Sequence, residues 1–326
     1  MVGTKRIAKF FKLLRLTRLP FMPFILGIET GNICNLKCPL CPTGVEDLSM
    51  KKGFMRLEVF KKVFDEVKDS IQAINLYSWG EPLLNPDLIN IINYAKKNKT
   101  NVKIITSTNL NIRNDHLLSE FIKSGIDEVI ISCDGVTAQT YVKYRKGGDF
   151  DLVMRNMKFL LAENKRLGMA VRLIWNFIVF KHNEHEVEDA KQLAAELGIE
   201  LRIGKMRTSM KDEILGAHGK SIEKDIDWIP DNPEYSAYNK EKMITKKIIK
   251  TCRKPWQEIS VNWDGSIFPC CAIYGDKYAY GNLSEGGIKD NWNNKLYIEA
   301  RKEIIDKKIK ALTICGICRN HGFLHM

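Results

Sequence analysis

Six short apolar runs, separated by amphipathic stretches, constrain this chain more than any other feature. The runs are FILGIET (24–30), AINLYSW (73–79), VKIITS (102–107), EVIISC (128–133), VRLIWNFIVF (171–180) and ELRIGKM (200–206). Their length and their β-branched and aromatic residues predict strands, and helical periodicity fills the intervals near 56–70, 86–98, 113–124, 150–167 and 184–197. Asn183 stands where an N-cap would open the last of these helices, with Glu186 at the capping-box offset. A series of parallel βα units builds either an α/β barrel, open or closed, or a doubly wound sheet, and periodicity alone does not separate them. In both, functional groups gather at the C-terminal ends of the strands.

Composition bounds the rest. Of 326 residues 44% are hydrophobic, enough for a substantial core. No run approaches the roughly 18 apolar residues of a membrane-spanning helix. A formal net charge of +12 favours an anionic partner or surface. Within the first 18 residues Lys5, Arg6, Lys9, Lys12, Arg15 and Arg18 occur without an acid. On a helix Ile7, Phe10, Phe11 and Leu14 would share one face, and Pro20 would end it. Such a segment can lie on an anionic bilayer or pack over the open end of a barrel. Residues 208–250 lose the βα pattern and contain DWIPDNPEY (227–235), which reads as linker or lid. The expected organisation is a basic N-terminal segment (1–24), a βα unit (25–207), a linker or lid (208–250) and a cysteine-rich module (251–326).

The cysteines carry the chemistry. Nine are present, an odd number, and seven fall into two spaced groups. Lys9 and Lys12 interrupt the only apolar stretch near the N-terminus, so no secretory signal precedes them. The expected location is therefore cytoplasmic, with residues 1–18 offering peripheral contact to a membrane. In a reducing compartment such grouping reads as metal ligation. CNLKCPLC (34–41) follows the first strand and puts Cys34, Cys38 and Cys41 on one tight loop. Zinc would need a fourth ligand, for which His116 or a tail cysteine is available. A [4Fe–4S] cluster held by three cysteines leaves one iron open to a ligand. A zinc-dependent nucleic-acid-binding protein is the alternative from a different class, although nucleic acid is not the expected partner.

The C-x3-C-x2-C spacing after a first strand resembles the radical S-adenosylmethionine (SAM) superfamily. The resemblance implies an α/β fold built as a partial (β/α)6 TIM-like barrel. It also implies a [4Fe–4S] cluster on Cys34, Cys38 and Cys41 whose fourth iron is chelated by SAM. Reductive cleavage of SAM would give a 5′-deoxyadenosyl radical that takes a substrate hydrogen. Leu40 stands where the superfamily usually has an aromatic residue, which leaves a backbone contact to adenine. Trp79, Gly80, Glu81 and Pro82 resemble the family's GGEP motif, with Trp79 in place of the first glycine. At the ends of strands three and four Thr108 and Asn109, then Ser132 and Asp134, fall where the family lines its SAM pocket. Arg145 in YRKGG (144–148) resembles the arginine that pairs with the SAM carboxylate, and Asn176 on strand five is a further expected contact. Cys133 alternates to the opposite side and is expected to be a packed core thiol.

The tail presents Cys252, Gly265 and Cys270 as C-x12-G-x4-C, then Cys315 and Cys318 as C-x2-C. With its surroundings this resembles the SPASM/twitch accessory region, a small α+β iron–sulfur module. The resemblance implies one auxiliary [4Fe–4S] cluster on Cys252, Cys270, Cys315 and Cys318, with Cys271 the alternative to Cys270. Four protein ligands leave no vacant iron, so electron transfer is the expected role. The spacing is similar to that of the radical dehydrogenase that oxidises an aminocyclitol. The expected activity is therefore oxidation of a sugar, cyclitol or other metabolite by a radical SAM oxidoreductase, and the alternative is peptide maturation. Expected partners are a small-molecule or peptide substrate and a reductase or flavodoxin-type electron donor. The sequence singles out no catalytic base.

Overall fold

The computed structural model describes residues 15–46, 51–208, 222–246, 252–273, 275–306 and 308–320. The basic helix expected near the N-terminus falls largely on residues 1–14, outside the described residues, and residues 15–18 are not helical. The six expected strands are present as β1 (Ile25–Ile28), β2 (Ala73–Leu76), β3 (Lys103–Thr108), β4 (Glu128–Ser132), β5 (Arg172–Val179) and β6 (Glu200–Lys205). They pair in sequential order, all parallel, with Ile25↔Ala73, Ile74↔Ile104, Thr106↔Val129, Ser132↔Asn176 and Asn176↔Arg202 among the register pairs.

Helices α1 (Leu57–Val67), α2 (Leu88–Asn98) and α3 (Asp115–Lys123) connect the first four strands. Helices α4 (Ala138–Tyr144) and α5 (Phe150–Arg166) together connect β4 to β5, and α6 (Val187–Leu197) leads into β6. The short α4 had no counterpart in the periodicity. Side-chain caps open several helices: Asn114 accepts from Leu117 N, Thr137 from Thr140 N and Asp149 from Leu152 N. Each is worth about 1 kcal/mol. Asn183 is an exception to the expected capping. A 3-10 turn, Glu184–Glu186, intervenes, and Asn183 makes no cap bond. Its amide instead donates to the Asp134 and Ile178 carbonyls, while Glu186 accepts from Val136 N and Thr137 Oγ1. The strand ends that the site needs take these side chains away from the helix.

The two faces of the sheet differ in chemistry. Ile74, Leu76, Ile104, Val129, Ile131, Leu173, Trp175, Phe177 and Val179 are buried in the main core, which also takes the apolar face of α1 (Phe60, Val63, Phe64, Val67). Cys133 belongs to this layer and is fully buried, as expected. Side chains of alternate parity (Asn75, Ser107, Ser132, Asn176) face the other way and line a cavity. Fully buried parallel strands usually read as continuous apolar runs, so these polar positions mark the functional face.

After β6 come a two-residue hairpin, β7 (Tyr238–Asn239) and β8 (Ile244–Thr245), and then β9 (Glu258–Val261), β10 (Ser266–Phe268) and β11 (Gly281–Asn282). Strand β9 adds to β1 in parallel, through Leu26↔Ile259 and its neighbours, and β10 and β11 continue antiparallel. Strands β1–β6 and β9–β11 thus form one nine-stranded sheet in the order β11-β10-β9-β1-β2-β3-β4-β5-β6, and β7 and β8 pair separately. Helices α7 (Ile288–Trp292), α8 (Lys295–Ile305) and α9 (Ile314–Asn320) complete the tail. In the segment after β6, Ile222, Ile229 and Tyr238 pack with Leu36, Leu40, Tyr144, Phe180 and Met206 over the cysteine loop. None of the described helices is long and apolar enough to cross a membrane.

Candidate active site

The loop after β1 carries its three cysteines to one end of the sheet. Cys38 is buried and Cys34 and Cys41 half-buried, and all three line one cavity of about 1100 Å³. The loop closes on itself through Cys41 N donating to Cys38 O (3.2 Å), and Lys37 N donates to Lys146 O (2.8 Å). Gly44 lies so close to the Cys38 backbone that a Cβ there would collide with it. Donors already point at the sulfurs: Leu36 N at Cys34 (3.4 Å), Asn109 Nδ2 at Cys34 (3.6 Å) and Arg145 at Cys38 (4.0 Å). Burial pushes the Cys34 thiol up to about 11 and raises Cys38 as well. Such thiols give up their protons to a cationic centre rather than to water.

The turn after β2 forms the next wall. Gly80 abuts the Gly31 carbonyl without room for a side chain, and Glu81 N donates to Ile33 O (2.9 Å). The buried Glu81 carboxylate accepts from Thr108 Oγ1 (2.7 Å), Leu83 N (3.0 Å) and Asn109 N (2.7 Å). It fastens the β2 and β3 ends together. The Trp79 indole donates to Ile273 O (3.2 Å), so the residue in place of glycine ties this turn to the tail.

Arg145 ends α4 and enters the cavity opposite the turn. Burial works against its charge, and Asp134 more than offsets this through an ion pair of 2.6 Å, so it stays fully protonated. The other Asp134 oxygen accepts Ile178 N at 2.8 Å. Of the expected SAM-pocket residues, Leu40, Trp79, Gly80, Glu81, Thr108, Asn109, Ser132, Arg145 and Asn176 line the one cavity. Two of the expected residues are not on the cavity wall: Pro82 opens the 3-10 turn Pro82–Leu84, and Asp134 is fully buried and ion-paired with Arg145. His116, the proposed fourth zinc ligand, is exposed on α3 and lines no part of the cavity.

In the tail, Cys252, Cys270, Cys315 and Cys318 stand within electrostatic range of one another. Burial raises Cys270 to about 12 and the last two well above the ordinary thiol value. The adjacent Cys271 turns the other way. It lines the main cavity beside Tyr77 and Lys254, and its carbonyl accepts from Ser78 Oγ (3.4 Å). Among the described residues no three His, Cys, Asp or Glu side chains are gathered tightly enough for a single metal ion. The loop offers three thiols and the tail four, buried or half-buried, and cluster ligands spread over more than one metal atom rather than converging on a single ion. Sequence reasoning missed Asn75, Tyr77, Ser107, Arg202 and Lys254 on the cavity wall. Counting by twos back from Asn176, and across to neighbouring strands, would have found the first, third and fourth.

The model of the radical SAM superfamily matches residues 28–200, and that of an iron–sulfur cluster-binding domain (SPASM) matches residues 252–319. The chain is 23% identical to the AdoMet-dependent heme synthase of Methanosarcina barkeri, over 91% of this chain and 88% of that protein. It is 24% identical to the mycofactocin maturase MftC of Mycobacterium ulcerans, over 92% and 81%. Among solved structures, BtrN in complex with AdoMet and 2-DOIA aligns with a TM-score of 0.55 at 18% identity, over 93% of this chain and 94% of that one. Streptococcus suis SuiB bound to S-adenosylmethionine aligns with a TM-score of 0.63 at 15% identity, over 92% and 71%. Radical SAM enzymes require SAM and a [4Fe–4S] cluster, and the C-terminal domain binds auxiliary iron–sulfur clusters. From strand order, cysteine loop and matched length together, this chain belongs to the radical SAM superfamily and carries a C-terminal SPASM domain.

Proposed function

We propose that Cys34, Cys38 and Cys41 hold the SAM-binding cluster, that Cys252, Cys270, Cys315 and Cys318 hold an auxiliary one, and that the enzyme oxidises a small metabolite. The observation that carries this reading is the convergence of the three-cysteine loop, the Gly80–Glu81 turn and Arg145 on one cavity. When bound, the two clusters and SAM would supply one-electron cleavage of a carbon–sulfur bond, hydrogen abstraction from the substrate and an acceptor for the one electron that the substrate radical gives up in becoming the oxidised product.

The chain's own residues prepare that chemistry. Arg145, locked by Asp134, offers a fixed cation to a carboxylate. The Glu81 bonds to Thr108 and Asn109 hold the β2 and β3 ends rigid, as positioning of reactive groups requires. Leu36, Leu40, Tyr144 and Phe180 close the loop side of the cavity with apolar surface, which limits water near a reactive intermediate. The proposed boundaries are 1–24 for the basic N-terminal segment, 25–207 for the barrel, 208–250 for a linker or lid and 251–326 for the cluster module.

A peptide substrate is the second reading, favoured by relatives whose names describe peptide maturation, MftC among them. The first experiment tests what both share. Anaerobically reconstituted protein should hold about eight irons per chain and release 5′-deoxyadenosine from SAM under dithionite. Cys38→Ala should reduce that release to the level of the protein-free control. Release unchanged in Cys38→Ala would remove the cysteine loop from the mechanism.

A further inference from the structure

The inward faces of β3 to β6 carry an alternating chain of charges at their N-terminal ends. Lys103 pairs with Glu128 (2.7 Å), Glu128 with Arg172 (3.1 Å) and Arg172 with Glu200 (2.7 Å). These two cations and two anions cancel. On β6 the next residue of the same parity is Arg202, in register with Asn176 of β5. It lines the cavity that holds the cysteine loop and Arg145, and it makes no hydrogen bond or ion pair with any described residue.

The rest of the cavity wall does not balance this charge. Glu81 is the one carboxylate among its described lining residues, and its oxygens are taken by Thr108, Asn109 and Leu83. Arg145 and Lys254 are neutralised from behind by Asp134 and Glu258. Lys205 and Lys246 add further cations on the side of Arg202. The cofactors do not supply the missing anion. A [4Fe–4S] core with three thiolates carries about one negative charge, and SAM about one positive.

We propose that Arg202 anchors the substrate and that the substrate carries an anionic group, a carboxylate or a phosphate, which the guanidinium grips with two parallel hydrogen bonds. This rests on the radical SAM reading of the cavity and adds the substrate's charge class to it. Asn176, one strand away in the same register, offers an amide to a neighbouring hydroxyl or carbonyl. Arg202 is exposed to solvent at the cavity wall, on the cavity-facing parity of β6, and a planar fork there matches a bidentate anion in a way a point charge does not.

The test uses the full-length, anaerobically reconstituted, SAM-loaded protein and three probes: glucose 6-phosphate, glucuronate and glucose. Binding is measured by titration calorimetry. At least one acidic sugar should bind tenfold or more tightly than glucose, and which one does so separates phosphate from carboxylate. Arg202→Gln should abolish that preference, and Arg202→Lys, which keeps the charge and loses the fork, should retain part of it. Retention in the lysine variant also distinguishes a lost anchor from a misfolded protein. A wild type without preference for either acid, or a preference that survives Arg202→Gln, would overturn the proposal. Release of 5′-deoxyadenosine by the same wild-type preparation reports on the radical SAM reading separately, so the two can fail independently.

Discussion

Cys270 and Cys271 are neighbours with opposite assignments. Sequence spacing favours Cys270 as a cluster ligand, and we propose the same choice from where the two side chains lie. Cys270 lies within electrostatic range of Cys252, Cys315 and Cys318, whereas Cys271 lines the main cavity, with its backbone N–H near Glu258 (3.4 Å). Successive side chains on an extended segment diverge, so only one can join the tail thiols. Cys270→Ser should therefore lose about four irons per chain, and Cys271→Ser should keep the full complement, measured by iron analysis after anaerobic reconstitution. The reverse pattern would exchange the two roles. Much of the site was legible at this scale because the superfamily's motifs are short and local. Arg202 was not, since its meaning depends on which way β6 faces and on what the neighbouring strands have already neutralised.

The ion chain across β3 to β6 is built by register. Parallel pairing brings Glu128 opposite Arg172, while Lys103 and Glu200, on the flanking strands, extend the alternation. Burial alone would raise the Glu128 pKa, but Lys103 and then Arg172 outweigh it and hold the carboxylate below its ordinary value of 4.5. A depressed folded-state pKa contributes stability that is present above the unfolded pKa and is lost as pH falls through the folded one. Glu128→Gln should therefore lower the unfolding temperature at neutral pH, and the difference from wild type should shrink below about pH 4. A difference that persists unchanged into acid would mean that the chain acts by packing and not by charge. The strand positions were legible from apolar runs, yet these pairings were not, because register is a property of two strands and neither sequence alone contains it. Helix α4 escaped detection for a related reason. Its seven residues span only about two turns, too few to establish a period.

At the scale of the whole molecule, the two ends of the described chain are fastened together. Arg301 on α8 is fully buried and donates to the carbonyls of Thr17 (2.9 Å), Pro255 (2.8 Å) and Trp292 (2.8 Å). Its guanidinium lies 4.6 Å from the Trp292 ring centroid and 5.2 Å from that of Tyr297. Trp256 and Trp292 donate to Leu16 and Phe21, adding stitches to the same seam. Burial lowers the Arg301 pKa to about 10, which leaves it charged at neutral pH. Arg301→Met would leave several buried carbonyls without donors, at a cost of about 3–5 kcal/mol. Chemical denaturation should show that loss, and a loss below about 1 kcal/mol would mean that water replaces the guanidinium. Nothing in the sequence announces this arginine, since its partners are backbone atoms far away along the chain. The shared sheet has the same character: β9 joins β1 across more than two hundred residues, and this edge pairing sets the auxiliary module beside the barrel.

The central claim is that three thiolates on the first loop hold a [4Fe–4S] cluster with one iron free to take SAM. Removing the tail ligands isolates that cluster. In a Cys252→Ala, Cys270→Ala variant, reconstituted without oxygen and reduced by dithionite, electron paramagnetic resonance should show one [4Fe–4S]+ signal whose g-values shift when SAM is added. A signal that SAM leaves unmoved, in protein with a full single cluster of iron, would contradict the account.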